Sequence, residues 1–334
     1  MRPRRASGCA RAGWAAALLG WYGPAGAGET YTTLASLAPR WGMAVAAESQ
    51  ARVELRNRWT SLVFLPETRQ MRLNGTLIWL NDTVRSIGGR WAINHVDRLK
   101  NLEPVLSPAR HLAGLSASVV LLDPGHGGGD PGAIGREGLV EKHLTLDLAR
   151  RVRAHLANAG VRTALTRDSD RTLDLEARPA MIRRVGAHAF VSLHFNSASS
   201  PAMYGVETFA LPPRGYPSTA GGESAARRAE RLAGHRYDEA NTMLAYQIQR
   251  SLRQWLGGDH DRGVRRARFA VLRDATCPAV LVECGFLSHA PTARRLALAE
   301  YRDALAQRIA MGILEYLRAV RAAGSSARQP ASKP

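Results

Sequence analysis

Cysteine and lysine are nearly absent from this chain, and each scarcity removes a class of explanation. Of the three cysteines, Cys9 lies near the N-terminus, while Cys277 and Cys284 flank an apolar run that reads as a buried strand. Seven extended steps of ~3.3 Å hold those two more than ~20 Å apart, beyond the reach of a disulfide. The fold therefore rests on its core, with or without a metal, and not on bridges. Lysine occurs only at Lys100, Lys142 and Lys333, so a net charge of +18 is carried by arginine. The arginines are dispersed, with no basic helix and no RNP-like aromatic motif, which excludes nucleic acid as a partner. What remains is attraction to another kind of anionic partner or an arginine-rich codon usage. Apolar runs are short as well: none approaches the ~20 residues that cross a bilayer, which excludes stable membrane insertion.

The first residues carry a different pattern. Arg2, Arg4, Arg5 and Arg11 precede an uncharged apolar run at residues 12–22, and Ala25-Gly26-Ala27 supplies the small residues of a cleavage site. Residues 1–27 thus read as a secretory signal peptide. Export to the periplasm or cell envelope follows, as a soluble chain expected to be a monomer, with a net charge of +14 once four arginines are gone. Cys9 precedes the apolar run, which argues against a lipoprotein site.

Residues 28–112 then form a small, mostly β unit. Alternating segments at 52–55, 61–64, 70–73, 76–80 and 90–93 are separated by turn signals, of which Asn74-Gly75 is a hairpin signature. Helices are expected at 31–41 and 95–102. Beyond a linker at 106–114 the rhythm changes to strands at 118–122, 162–166, 189–194, 205–210, 270–273 and 279–283. Leu144, Leu148, Val152 and Leu156, followed by Gly160, mark one helix between them, and Leu305, Ile309, Ile313 and Leu317 mark another. Residues 113–320 are thus expected to be an α/β domain, a twisted and mostly parallel sheet with helices on both faces and its chemistry at the carboxyl ends of the strands. Residues 321–334 read as a disordered tail.

Three residues with ligand chemistry fall at those ends. His126 stands alone among the glycines that follow the strand at 118–122, where no Gly-Lys-Ser/Thr follows to make a phosphate loop. Glu141 opens the next helix, and His194 ends the strand at 189–194. Two imidazoles and one carboxylate make a catalytic Zn2+ set that leaves a fourth position for water, and such a metal generates hydroxide at neutral pH. One Zn2+ per chain is expected. Glu283 ends an apolar strand, where a carboxylate has no packing reason to exist, and is the natural general base and acid.

The stretches DPGHGGGDPGAIGREGLVEKHLTLDLA, TRDSDRTLDLEARP, FVSLHFNSA, GVETFAL, DRGVRRARFAVLRDATCPAVLVECGFLS and YRDALAQRIAMGILEYL occur in order. Together they resemble the zinc-dependent N-acetylmuramoyl-L-alanine amidase family over roughly residues 117–318. The resemblance implies that His126, Glu141 and His194 bind zinc and that Glu283 is catalytic. It implies peptidoglycan as partner and substrate, cut at the amide between N-acetylmuramic acid and the L-alanine of the stem peptide. A catalytically silent peptidoglycan-binding protein and a zinc peptidase acting on the stem peptide are the alternatives, although no HExxH pair is present. The N-terminal unit more loosely resembles the small domain at the front of copper amine oxidases, with wall binding or spacing as its expected role.

Several residues stay open at this level. Phe195 stands where the family has a small residue and is expected to narrow the substrate groove. His289 replaces a frequent asparagine. Asp123 and Asp130 are candidates to orient His126 or to cap the loop, and His143, His235 and His260 read as surface residues. Residues 211–238 read as a surface loop or as a lid that emerges beside the metal-bearing strand ends. In some relatives an inserted helix blocks the zinc until an activator binds, so Glu223 and Glu230 are candidates to reach the metal here, and a protein activator is a candidate partner.

Overall fold

The computed structural model describes residues 30–135 and 138–328. The expected signal peptide, with Cys9, lies outside the described residues, as do residues 329–334 of the expected tail.

The first unit contains β1 (Tyr31–Thr33), α1 (Leu34–Leu37), β2 (Ala44–Glu48), β3 (Val53–Arg56), β4 (Ser61–Phe64), β5 (Gln70–Leu73), β6 (Thr76–Trp79), β7 (Arg85–Ile87) and β8 (Arg90–Asn94). Short helices α2 (His95–Asp97), α3 (Glu103–Leu106) and α4 (Pro108–His111) lead out of it. Strands β2 to β6 form an antiparallel meander, while β1, β8 and β7 make a separate small sheet. Asn74 and Gly75 both have positive φ, 47° and 82°, as a tight hairpin between β5 and β6 requires. Residues 31–41 are not one helix: β-branched Thr32 and Thr33 extend as a strand, and Pro39 starts a separate 3-10 turn. Residues 95–102 begin as α2 and continue as a π-helical turn, Arg98–Leu102, that runs into α3.

The second unit contains β9 (Val119–Pro124), α5 (Glu141–Asn158), β10 (Arg162–Leu165), α6 (Ala177–Val185), β11 (Ala189–Asn196), β12 (Val206–Ala210), α7 (Ala225–Ala229) and α8 (Asp238–Leu256). β13 (Asp261–Arg266), α9 (Ala270–Arg273), β14 (Ala279–Phe286), α10 (Ala290–Ala297) and α11 (Ala299–Arg328) complete it. Strands β10, β9, β11 and β14 are parallel, β12 lies antiparallel to β14, and β13 is parallel to β12. The sheet does not stop there. β13 pairs with β6 through Val264 and Ile78, so both units share one eleven-stranded sheet. Asp261 Oδ2 accepts from the Leu77 amide at 2.8 Å, and Trp79 Nε1 donates to the Arg262 carbonyl at 3.0 Å across the same seam.

Helices α5, α8 and α11 cover one face, where Leu148, Val152, Leu244, Ile248, Ile309 and Ile313 are fully buried. A smaller cluster on the other face sets Leu121, Phe190 and Leu281 against Met181, Ile182 and Leu272. Both cysteines are buried and free.

Three further expectations are corrected. Residues 270–273 are a helical turn, and the strand beside them is β13, whose sequence Asp-Arg-Gly-Val-Arg-Arg holds one apolar residue. A short buried apolar segment cannot be assigned to strand or helix by periodicity. Helix α11 continues through Arg328, past the start of the expected tail, because Val320 and Ala323 still face the core and Arg321 donates to the Ala117 carbonyl at 3.0 Å.

The third correction concerns residues 211–238. Because β12 runs antiparallel to β14, the chain leaves it at the end of the sheet opposite His126, Glu141 and His194. The segment packs there, with Leu211 and Leu232 in the cluster that includes Leu272. Arg268 anchors it by pairing with Glu223 at 3.3 Å and donating to the Tyr216 carbonyl at 2.8 Å. Glu230 faces Arg273 at 3.8 Å. Neither glutamate approaches the metal ligands.

Candidate metal centre and active site

His126 follows β9 with a φ of 61°, a conformation that L residues rarely adopt. Two buried arginines hold the backbone there. Arg178 donates to the carbonyls of Pro124 and His126, both at 2.9 Å, and is itself fixed by Asp123 at 2.8 Å. Arg167 donates to the carbonyls of Pro124, Gly125 and Lys142 at 3.0, 2.8 and 2.8 Å. Strain of this kind persists at functional sites when the surroundings over-determine it. Asp123 therefore serves the arginine and not His126, and also accepts from Thr166 and Ser192.

Glu141 enters from the first turn of α5. Its Oε1 lies 3.1 Å from His126 Nε2 and 3.0 Å from His194 Nδ1, and accepts the Phe195 amide at 3.0 Å, while its Oε2 accepts the Ala133 amide at 2.8 Å. Burial alone would raise this carboxyl, but both imidazoles outweigh it and hold it well below the usual carboxylate range. On His126 burial acts downward and is overcome by Glu141 and Asp130, so the ring is raised. Asp130 Oδ2 sits 2.8 Å from His126 Nδ1, which fixes the ring with Nε2 inward. The imidazoles meet edge to face at 4.9 Å.

The three donors fit a metal ion. Their ligand atoms lie within 4.8 Å of one another, and the two nearest separations approach the ~3.3 Å edge of a tetrahedron with ~2.05 Å bonds. Glycine makes the room. A Cβ on Gly125 would stand 2.2 Å from His194 Cε1, and one on Gly132 would stand 2.6 Å from Glu141 Oε2.

Glu283 lies on β14 directly opposite His194 of β11 on one side and Glu207 of β12 on the other. Its Oε2 is buried without a hydrogen-bond partner. Burial first, and then the charges of Glu141 and Glu207, push its carboxyl well above the ordinary range. That raised affinity suits it to take up a proton and pass it on.

The sequence-based candidates His126, Glu141 and His194 converge, with Glu283 on the strand beside them. Phe195 does not narrow a groove: it is 1% exposed in the core, and its contribution is the amide that holds Glu141. His143 lies on the surface near Asp170, and His289 is held by Thr292 and stacked against Tyr204. Sequence reasoning gives no role to Arg167, Arg178 and Glu207. Their signal is charge inside otherwise buried segments. Glu207 is 3% exposed and accepts from Asn196, Arg262 and Arg265 at 2.9, 2.9 and 2.7 Å.

Two imidazoles and a carboxylate converging at a sheet end, beside a buried carboxyl of raised proton affinity, define a metal-dependent hydrolase. Residues 120–315, more than half of the chain, match the N-acetylmuramoyl-L-alanine amidase family, and the chain belongs to that family. It is 35% identical over 220 residues to the amidase AmiA of Escherichia coli K12, covering 59% of this chain and 75% of AmiA. It is 36% identical over 200 residues to LytC of Bacillus subtilis, covering 60% of this chain and 35% of LytC. The solved AmiC2 of Nostoc punctiforme superposes with a TM-score of 0.50 at 36% identity, over 61% of this chain and 99% of that one. The CwlD amidase of Clostridioides difficile, solved with the GerS lipoprotein, superposes at 0.50 with 27% identity, over 60% and 98%. The chain is a peptidoglycan amidase, cleaving the amide between N-acetylmuramic acid and the L-alanine of the stem peptide.

Proposed function

We propose that His126, Glu141 and His194 hold one zinc ion and that Glu283 transfers the protons of the reaction. The observation that carries this reading is the unpartnered, buried Oε2 of Glu283 on the strand next to His194. When bound, zinc supplies Lewis acidity that polarises the amide carbonyl and makes water a nucleophile at neutral pH. Glu283 accepts the proton of the attacking water and delivers it to the L-alanine nitrogen as the C–N bond breaks. The lactyl group leaves as a carboxylate and the peptide as a free amine. Asp130 keeps the His126 tautomer, and the Phe195 and Ala133 amides keep Glu141 aimed.

The leader pattern of residues 1–27 supports export to the periplasm or envelope, and no helix among the described residues is long and apolar enough to cross a membrane. The 28–112 unit fits a wall-binding role. The lipoprotein complex of CwlD supports a protein activator as a partner. Digestion of isolated sacculi, with and without chelator, tests the reading by mass analysis. Free stem peptides and peptide-free glycan, lost on chelation, are expected. Trimmed peptides would indicate a peptidase, and unchanged material a binder.

A further inference from the structure

Strand pairing sets a row of side chains on the sheet face away from α8. His194, Glu283 and Glu207 are register partners on β11, β14 and β12, so they point the same way. Val264 of β13 and Ile78 of β6 pair and both belong to the core on the α8 side, which turns Arg265 and Trp79 outward to join the row. There a cavity of about 320 Å3 opens, lined by Leu77 and Trp79 from the N-terminal unit and by Tyr204, Arg262 and Arg265 from the amidase unit.

The cavity is a built cationic recess. Arg262 and Arg265 each give Glu207 one of the five N–H groups a guanidinium carries. That pairing fixes both guanidiniums and neutralises one of two charges. Arg265 lies 5.2 Å from the Trp79 ring and 5.8 Å from that of Phe209, and Arg262 lies 5.0 Å from Phe286. Two acids also line the cavity. Asp261 is turned away, accepting from Leu77, Gln249 and Gly263, and Asp259 is exposed, where solvent screens it.

The geometry points to a carboxylate-binding subsite for the stem peptide, formed by Arg262 and Arg265 and walled by Trp79 of the N-terminal unit. This rests on the amidase reading. In the substrate the lactyl carboxyl is tied up in the scissile amide, so the free carboxylates belong to the peptide. Two strand spacings of ~4.8 Å separate β14 from β13. Arg265, the register partner of Phe209, stands two residues further along than the Glu283–Glu207–Gly263 row, which places it ~12 Å from Glu283. An extended peptide advances ~3.3 Å per residue, and the arginine side chains reach back toward Glu207. A carboxylate two or three residues beyond the scissile bond therefore reaches the guanidiniums, which take carboxylates through paired N–H donors. The N-terminal unit then does more than space or tether, because Trp79 closes the recess.

The test compares two soluble N-acetylmuramoyl peptides, one with a free carboxylate on the second or third residue and one with that carboxylate amidated. With the zinc-loaded full chain, amine release gives KM and kcat, and calorimetry gives affinity for the matching product peptides. The acid form is expected to show a KM and a product Kd at least tenfold lower than the amide form, with kcat similar. Arg265→Gln and Arg262→Gln should erase that ratio, and Trp79→Ala should reduce it, each variant's acid form being compared with its own amidated form in KM and in product Kd. Equal KM and Kd for acid and amide in the native protein, or an undiminished ratio in both arginine variants, overturns the subsite. Failure to release amine from either substrate counts against the amidase reading alone, because product binding still decides the subsite.

Discussion

His194 and Glu283 are register partners on adjacent parallel strands, so backbone hydrogen bonding fixes the distance between the proposed metal ligand and the proposed proton carrier. No loop lies between them. Their relation should survive changes that disturb either side chain alone, which makes single substitutions informative.

Glu283→Gln keeps the shape of the side chain but cannot accept a proton. Turnover should fall by about 10^2 to 10^4-fold, with zinc content and melting temperature near those of the native protein. Hydrolysis at the native rate with one zinc per chain would remove Glu283 from the mechanism.

His126→Ala and His194→Ala should each lower zinc affinity as well as activity, whereas Asp130→Ala should lower affinity by only about 10 to 100-fold. Competition with a chromogenic chelator measures all three. Native affinity in the histidine variants would mean that they are not ligands.

Gly125→Ala should empty the centre without touching a ligand. The added methyl carbon would stand 2.2 Å from the His194 ring. Zinc occupancy and thermal stability should fall together; a fully loaded variant would show that the ring has room to shift.

Asp238, the first residue of α8, is buried and has its carboxyl pushed up to about 7, mainly by burial and further by Glu239, against the pull of Lys100 and Arg266. A raised acid favours the folded state in its neutral form, so its contribution is present below pH ~4 and lost as pH rises through about 7. Every tenfold difference in proton affinity between the folded and unfolded chain corresponds to ~1.4 kcal/mol. Asp238→Asn should therefore gain stability relative to the native protein on going from pH 4.5 to 7.5 in urea titrations. A pH-independent difference would refute a raised Asp238 carboxyl.

Replacing residues 214–231 with a short Gly-Ser link should cost stability, not change chemistry. It leaves Arg268 buried without Glu223 and Tyr216, a loss of ~3 kcal/mol on the scale of broken buried pairs. Denaturation and the rate on a soluble muramoyl peptide check the two halves. A changed rate with native stability would restore the lid.

The chemistry was legible in the sequence because ligands at strand ends interrupt apolar runs: His126, Glu141, His194 and Glu283 have no packing reason to be where they are. The antiparallel sense of β12 was not, since Val206–Ala210 alternates in the same way in either direction, and the placing of residues 211–238 as a lid beside the metal-bearing strand ends failed with it. β13 escaped notice because its outward positions are arginines facing a cavity, which removes the apolar pattern that marks a strand. Arg167 and Arg178 are invisible to periodicity because their partners are backbone carbonyls 25 to 54 residues away and, for Arg178, the Asp123 carboxylate.

The β6–β13 seam also bears on where this chain can be cut. A fragment beginning near residue 113 would bare β13 as an open edge and leave Asp261 without the Leu77 amide. Unprotected edges recruit strands from other copies. The N-terminal unit thus covers, through β6, what would otherwise be an open edge of the amidase sheet.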